Sequence, residues 1–471
     1  MRGLTGGERE PNPDRHPPRP PDHPPSTRGR PADRCARSGT DTGRMMIAVM
    51  AVAALGVLGL LGVAHWYLWR RLVRDVSRPG GRYRRTGTGL AFLLPALMLL
   101  AAVGGRAFPL AVERWFAWPG YLWMAVSIYL LLALLAGEAL RPLLHRLRPR
   151  RTPAPAEAAV PEPVTVPATP ATRVEPTEPE GPAGPAGAAE PAGPVAEASR
   201  RLFVSRLVAG GAAAVAVGVV GNGAYGVLRG PRLKQVTVPL AKLPRAAHGY
   251  RIAVVSDIHL GPILGRSHTR RIVDTINAVQ PDLITVVGDL VDGTVPELGP
   301  AARPLADLRA KDGAYFVTGN HEYFSGAAPW VEFVRELGLH PLENDRVELA
   351  RFDLAGVNDI AGTAHGQGPD YAKALGDRDR SRAAVLMAHQ PVTIHDSVHH
   401  GVDLQLSGHT HGGQLWPGNY IAELANPTVA GLERYGDTQL YVTRGAGAWG
   451  PPVRVGAPSD ITVVTLASLQ A

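Results

Sequence analysis

Five short clusters along the second half of the chain place carboxylates, an amide and imidazoles close together. They are Asp257-Ile258-His259, Gly288-Asp289 with Asp292 behind it, Gly319-Asn320-His321-Glu322, His389, and Gly408-His409-Thr410-His411. Neutral imidazole suits borderline cations such as Zn, Fe and Mn, while carboxylate and amide oxygens suit harder ones. Two such cations about 3.5–4 Å apart clamp a phosphoryl group and supply a nucleophile against it. A pair of this kind needs a bridging carboxylate, for which Asp289 is the natural candidate. Gly408 and Gly412 permit a tight turn, and alternate residues of an extended segment point opposite ways. His409 and His411 would therefore reach different cations.

The elements that must position these groups are legible around them. Each cluster ends an apolar run: YRIAVVSDIHLG, PDLITVVGDLVDG, GAYFVTGNHEYF, AAVLMAHQP and DLQLSGHTHGG. Their length and β-branched content predict strands. Between the first two, SHTRRIVDTINAV repeats Ile272, Ile276 and Val279 at helical spacing. That is a strand–helix–strand unit with polar residues at the strand ends, where open α/β sheets place their sites. A single such residue is explained by capping or by a satisfied core histidine, but five in order are not.

Together these clusters resemble the five motifs of the calcineurin-like metallophosphoesterases, and GHTHGGQ and GAGAWGPPVR resemble that family's membrane-associated bacterial branch. The resemblance covers residues 235–468 and implies an α/β fold, a four-layer αββα sandwich. It implies two divalent metal ions (Mn, Fe or Zn), one held by Asp257, His259, Asp289 and His411, the other by Asp289, Asn320, His389 and His409. His321 matches the family's catalytic histidine that is not a ligand, and Asp292 would orient a ligand from behind. Gln414 and Trp416 stand either at the substrate mouth or in a structural role. Arg454 has two readings, a phosphate contact or a surface ion pair. His248, His268, His340, His365, His395, His399 and His400 fall outside the motifs and read as polar surface. Residues 361–382 read as a polar loop with a short helix that could cap the site.

The 471-residue chain carries a formal charge of +8. Residues 1–44 hold nine Arg against six acids and residues 70–85 seven Arg against Asp75, so the remainder nets about minus one. This is no basic stripe for nucleic acid, and no nucleic-acid partner is expected. Cys35 is the single cysteine, which rules out an intrachain disulfide. Residues 1–44 should be disordered, with Met45 as an alternative start. Residues 45–148 hold three uncharged windows, Met45–Trp69, Thr86–Gly105 and Trp115–Gly137, each long enough for a transmembrane helix. Residues 149–198 are a Pro/Ala-rich linker. Residues 199–230 combine SRRLFVSR, which resembles a twin-arginine export signal, with a fourth apolar window, Leu207–Leu228. The arginines between Arg70 and Arg85 should be cytoplasmic, which puts the catalytic domain outside.

The expected protein is a multi-pass cell-membrane, extracytoplasmic, dinuclear metal phosphohydrolase. It would be a phosphodiesterase acting on a lipid-linked or envelope phosphoester, with the lipid bilayer and the twin-arginine machinery as partners. Phosphomonoesterase and nuclease are alternatives on the same fold. A sensor or transporter built from the first three spans is an alternative of another class, but their uncharged windows hold no Asp, Lys or Arg to line a polar pathway.

Overall fold

The computed structural model describes residues 32–105, 107–146 and 194–470. The tail before residue 32 and nearly all of the expected linker lie outside the described residues. The chain divides into two compact units, Met1–Gly62 and Val63–Ala471. The first unit contains most of helix α1 (Ala32–Trp69). This helix is already wound at Ala32, so residues 32–44 are helical where disorder was expected. Pro31 is the last proline before the apolar run, and beyond it no ring interrupts the helical register.

Among the described residues, four helices are long and apolar enough to cross a membrane: Ala48–Arg74 (27 residues), Arg82–Gly104 (23), Leu110–Leu140 (31) and Leu202–Leu228 (27). The last three lie in α2 (Arg82–Gly104), α3 (Leu110–Arg146) and α4 (Pro194–Leu228). α4 begins inside the stretch expected to be linker, with a proline, whose fixed φ suits a first helical position. α3 packs on both α2 and α4. Gly120 of α3 lies against the Leu97 carbonyl and Ala101 of α2, where a Cβ would not fit. At one end, Arg71 pairs with Glu138 at 2.9 Å and Arg206 donates to the Val76 carbonyl at 3.1 Å. The α2–α3 turn and the C-terminal end of α4 form the other end.

The remainder of the described residues is built on twelve strands. These are β1 (Arg232–Leu240), β2 (Tyr250–Val255), β3 (Leu283–Val287), β4 (Ala314–Val317), β5 (His340–Pro341), β6 (Asp345–Glu348), β7 (Asp353–Gly356), β8 (Ala384–Met387), β9 (Leu404–Ser407), β10 (Gly431–Tyr435), β11 (Thr438–Val442) and β12 (Asp460–Ser468). They form two six-stranded sheets, ordered β1-β12-β2-β3-β4-β5 and β10-β11-β9-β8-β7-β6. All five apolar runs are strands, namely β2, β3, β4, β8 and β9.

Val254 and Val287 of the first sheet pack against Leu404, Leu406 and Tyr441 of the second, forming the central core. On the outer face of the first sheet lie α5 (Arg266–Ala278), α6 (Val295–Ala302) and α8 (Ala327–Glu336), and the short α7 (Asn320–Ser325) leads from β4 into α8. Ile272, Leu298 and Trp330 seal α5, α6 and α8 against it. Short helices carrying Leu375 and Ile394 cover the second sheet. This is the αββα sandwich, because each sheet has two apolar faces and both must be covered.

Candidate metal centre

β2, β3 and β4 run parallel, as do β8 and β9, so their C-terminal ends converge at one edge of the sandwich. The loops leaving those ends bring together Asp257, His259, Asp289, Asn320, His389, His409 and His411. Ligand-type atoms of three groups approach within 4.8 Å of one another: Asp257, His259 and His411; Asp289, His389 and His409; and His259, Asp289 and His321. The backbone bends sharply to do this. Asp257, His259, Asp289, His409 and His411 all have left-handed φ, between 48° and 71°. Non-glycine residues hold that conformation only where surrounding structure imposes it, and such positions concentrate at functional sites. Gly319 and Gly408 leave the necessary space, since a Cβ on either would overlap the Asp289 or Asp257 carboxylate.

Hydrogen bonds fix which face each imidazole presents. His389 Nδ1 donates to the Val287 carbonyl at 2.8 Å, which leaves Nε2 facing Asp289 Oδ2 at 3.1 Å. That buried Nε2 has no hydrogen-bond partner among the described residues. A lone pair against a carboxylate calls for a proton or a cation between them, so this donor set fits a metal. His259 Nδ1 bonds Asp292 Oδ1 at 2.9 Å, turning Nε2 toward His411 Nε2 at 3.0 Å. Asn320 Oδ1 meets His409 Nδ1 at 3.0 Å, and the Asp257 carboxylate accepts from the His409 N–H at 2.9 Å.

Burial and neighbouring charges act on these groups together. Burial pushes the Asp257 carboxyl up. Burial acts the same way on Asp289, but His389 and His259 outweigh it and hold that carboxyl far below its usual range. Asp292 also resists burial, held at about 2 by His259 and His321. His259 is raised to about 9, the carboxylate of Asp292 overcoming its desolvation. His409 is lowered to about 4 by burial and by His389.

Asp292 Oδ1 also receives His321 Nδ1 at 2.6 Å, so one carboxylate holds both His259 and His321. His321 lines a cavity of about 1090 Å³ that opens over the cluster. Phe324 and Trp449 continue its catalytic-domain wall, and the opposite wall is Phe108, Glu113 and Tyr121 from the α2–α3 region. No residue of 361–382 lines it; Tyr323 binds that segment through the Gln367 carbonyl at 3.2 Å instead. The expected cap is therefore replaced by the turn between two long apolar helices.

Two other expectations change. Arg454 is 5% exposed and donates to the carbonyls of His411 (2.8 Å), Arg444 (2.7 Å) and Gly447 (2.7 Å) and to His411 Nδ1 (2.9 Å). It is neither a phosphate contact nor a surface ion pair; it fixes the His411 ring from behind. Gln414 takes the structural alternative: its amide donates to the Trp449 and Pro451 carbonyls and accepts from the Trp449 N–H. Trp416 offers its carbonyl to Tyr129 of α3 at 2.9 Å. Of the seven histidines expected on the surface, His268 is buried in α5, with no partner for either ring nitrogen among the described residues.

Glu322 received no role from the sequence, although it closes the Gly-Asn-His-Glu motif. Its buried carboxylate accepts from the backbone N–H groups of Gly319 (2.6 Å), Leu290 (2.7 Å) and Asp289 (3.0 Å). It ties the Asp289 turn to the start of α7, and burial with Asp289 nearby raises it to about 7. The signal was a glutamate at the third position of a helix opened by glycine, the acidic half of a capping box.

A family model described as calcineurin-like phosphoesterase matches residues 250–413. A transmembrane protein with metallophosphoesterase domain from Danio rerio is 38% identical over 250 residues, which cover 50% of this chain and 57% of that one. The chain thus spans little more than half of that relative. An uncharacterized metallophosphoesterase of Helicobacter pylori (strain J99 / ATCC 700824) is 37% identical over 253 residues, covering 53% of this chain and 68% of its own. One from Aquifex aeolicus (strain VF5) is 33% identical over 240 residues, covering 50% of this chain and 91% of its own. With this breadth of identity, and with the site geometry behind it, the chain belongs to the calcineurin-like metallophosphoesterase family.

Proposed function

We propose that this metallophosphoesterase is a membrane-anchored, extracytoplasmic phosphodiesterase of lipid-linked or envelope phosphoesters. The observation that carries the reading is the shared cavity, in which His321 and the metal-type ligands form one wall and the α2–α3 turn the other. A soluble substrate has no need of a wall made from the ends of apolar helices. A phosphoester with an acyl or prenyl tail would keep the tail among those helices while its phosphorus reaches the cluster.

Asp257, His259, Asp289 and His411 would hold one cation, and Asp289, Asn320, His389 and His409 the other, with Asp289 between them. When bound, the two ions supply Lewis-acid charge and an activated nucleophile at phosphorus. The residues do the positioning. Asp292 fixes His321 through Nδ1, which leaves Nε2 free to donate a hydrogen bond to the developing charge or a proton to the departing oxygen. Glu322 and Arg454 hold the loops that carry Asp289 and His411.

The placement outside the cytoplasm is supported by the positive-inside rule. The basic turn of Arg70–Arg85 and the start of α4 share one end of the helices, and the catalytic domain lies at the other. Export by the twin-arginine machinery rests on Ser199–Arg206 alone; the side chains of Arg200 and Arg201 lie outside the described residues. Replacing both with Lys should strand the domain inside, and unchanged protease accessibility from outside would dismiss that route.

The chemistry is tested with the full chain in detergent, stripped by a chelator and reloaded with Mn. Metal content and hydrolysis of chromogenic diester and monoester are read together, beside Asp289→Asn. Metal-dependent turnover with a diester preference, lost in the variant, is expected. A monoester preference would refute the diesterase reading, and absence of bound metal would refute the ligand set.

A further inference from the structure

A second cavity, about 680 Å³, lies among the apolar helices at the end away from the metal centre. Its deep walls are apolar: Trp123, Val126 and Leu130 of α3 face Ala209, Ala213 and Val217 of α4. Small residues on α4 keep it open, and nothing lies within 4 Å of where a Cβ on Gly210 would stand. Its rim is cationic, made by Arg78, Arg82, Arg84 and Arg206.

Among the described residues, the nearby carboxylates are taken by arginines outside that rim. Asp75 is taken by Arg71 (3.4 Å) and Arg74 (3.1 Å), and Glu138 by Arg71 (2.9 Å). Among the described residues, none of the four rim arginines has a carboxylate partner; Arg206 meets only the Val76 carbonyl, at 3.1 Å. The rim also includes Gly81 and Arg82, the start of α2. That helix has no side-chain cap, so its first N–H groups and its positive dipole end face the same place.

An apolar slot between spanning helices, closed at headgroup level by arginines and a helix N-terminus, matches one class of amphiphile. We propose that this groove binds one anionic phospholipid, its phosphate among Arg82, Arg84 and Arg206 and one chain along Trp123 and Ala213. The inference rests on the reading that α2–α4 span a membrane. Topological bias alone would explain arginines scattered in that turn, but it does not require them to ring an apolar slot. The bound lipid would act as a wedge, fixing α4 against α3 and thereby the helix ends that wall the catalytic cavity.

The test uses the full chain in a neutral detergent, with retained lipid counted by native mass spectrometry. Phosphatidylglycerol is offered against phosphatidylcholine, and brominated phosphatidylglycerol reads quenching of Trp123 by difference from Trp123→Phe. Saturable retention of one phosphatidylglycerol, at least about tenfold tighter than phosphatidylcholine, is expected, with quenching that Trp123→Phe removes. Arg84→Gln with Arg206→Gln should lose that preference and the double Lys variant should keep it, while Ala213→Trp should block quenching. Equal retention of both lipids, or retention unchanged by the Gln pair, would overturn the site. Failure of the membrane reading is separately visible, as a chain that stays monodisperse when detergent is removed.

Discussion

Asp292 stands between His259 and His321, and one oxygen serves both rings at 2.9 and 2.6 Å. It couples a would-be ligand to the histidine proposed to face the leaving group. Asp292→Asn keeps the shape but gives up the charge that fixes both imidazoles, so kcat should fall about 10–100-fold with the fold intact. An unchanged pH–rate profile and rate would show that the two rings are held by something else. Arg454 differs in kind, because its donors are spent on buried carbonyls. Arg454→Met should therefore cost about 1–3 kcal/mol of stability by orphaning those acceptors, read as a lower Tm. A raised KM with Tm unchanged would mean a substrate contact after all. His268 sets a pH limit on the fold. Burial lowers its pKa to about 4, with Arg271 and Arg454 adding to the shift, against about 6.5 when unfolded. Its folded form is the neutral one, so its contribution is complete above pH 6.5 and is lost as pH falls toward 4. The loss is about 3 kcal/mol at most, and His268→Leu should flatten that acid slope in a denaturation series.

At the scale of elements, the sequence was most readable where periodicity and chemistry coincide. The five strands that end in Asp, Asn or His were visible because each is a β-branched run closed by a polar cluster, and the structure brings those ends to one edge. The left-handed turns at Asp257, Asp289 and His411 were not visible, because no local rule assigns such a backbone to those residue types. Arg454 was misread for a related reason: its partners are His411, on the loop after β9, and Arg444 and Gly447, earlier in its own loop between β11 and β12, and one sequence does not show which carbonyls converge. The same applies to the Pro-Pro-Val-Arg segment, whose purpose lies in a helix more than 200 residues upstream. Val453 packs with Leu134, Ala216 and Val220, and a Cβ on Gly223 of α4 would strike the Arg454 carbonyl. That segment thus docks the catalytic domain on α3 and α4. Helix ends were the least readable feature; α1 and α4 both begin earlier than their uncharged windows, since helices extend until a proline or a turn stops them.

For the molecule as a whole, the apolar helices share a cavity with the candidate metal ligands and His321. The sequence pointed to a membrane region and a metal centre but not to their contact, which depends on how α2, α3 and the loop around Trp449 meet. On the proposed function, that contact would make substrate choice a property of the full chain. Ala102→Trp tests this directly, since Ala102 lines the helix-side wall and is exposed, so the indole fills the cavity without disturbing a core. The decisive measurement is kcat/KM for a phospholipid diester in mixed micelles and for a small chromogenic diester, compared between the wild-type chain and Ala102→Trp, both loaded with Mn. A loss of about tenfold or more on the lipid, with less than about twofold on the small ester, is the expected result. Equal losses on both substrates, or none on the lipid, would contradict a lipid path between the helix ends and the metal centre.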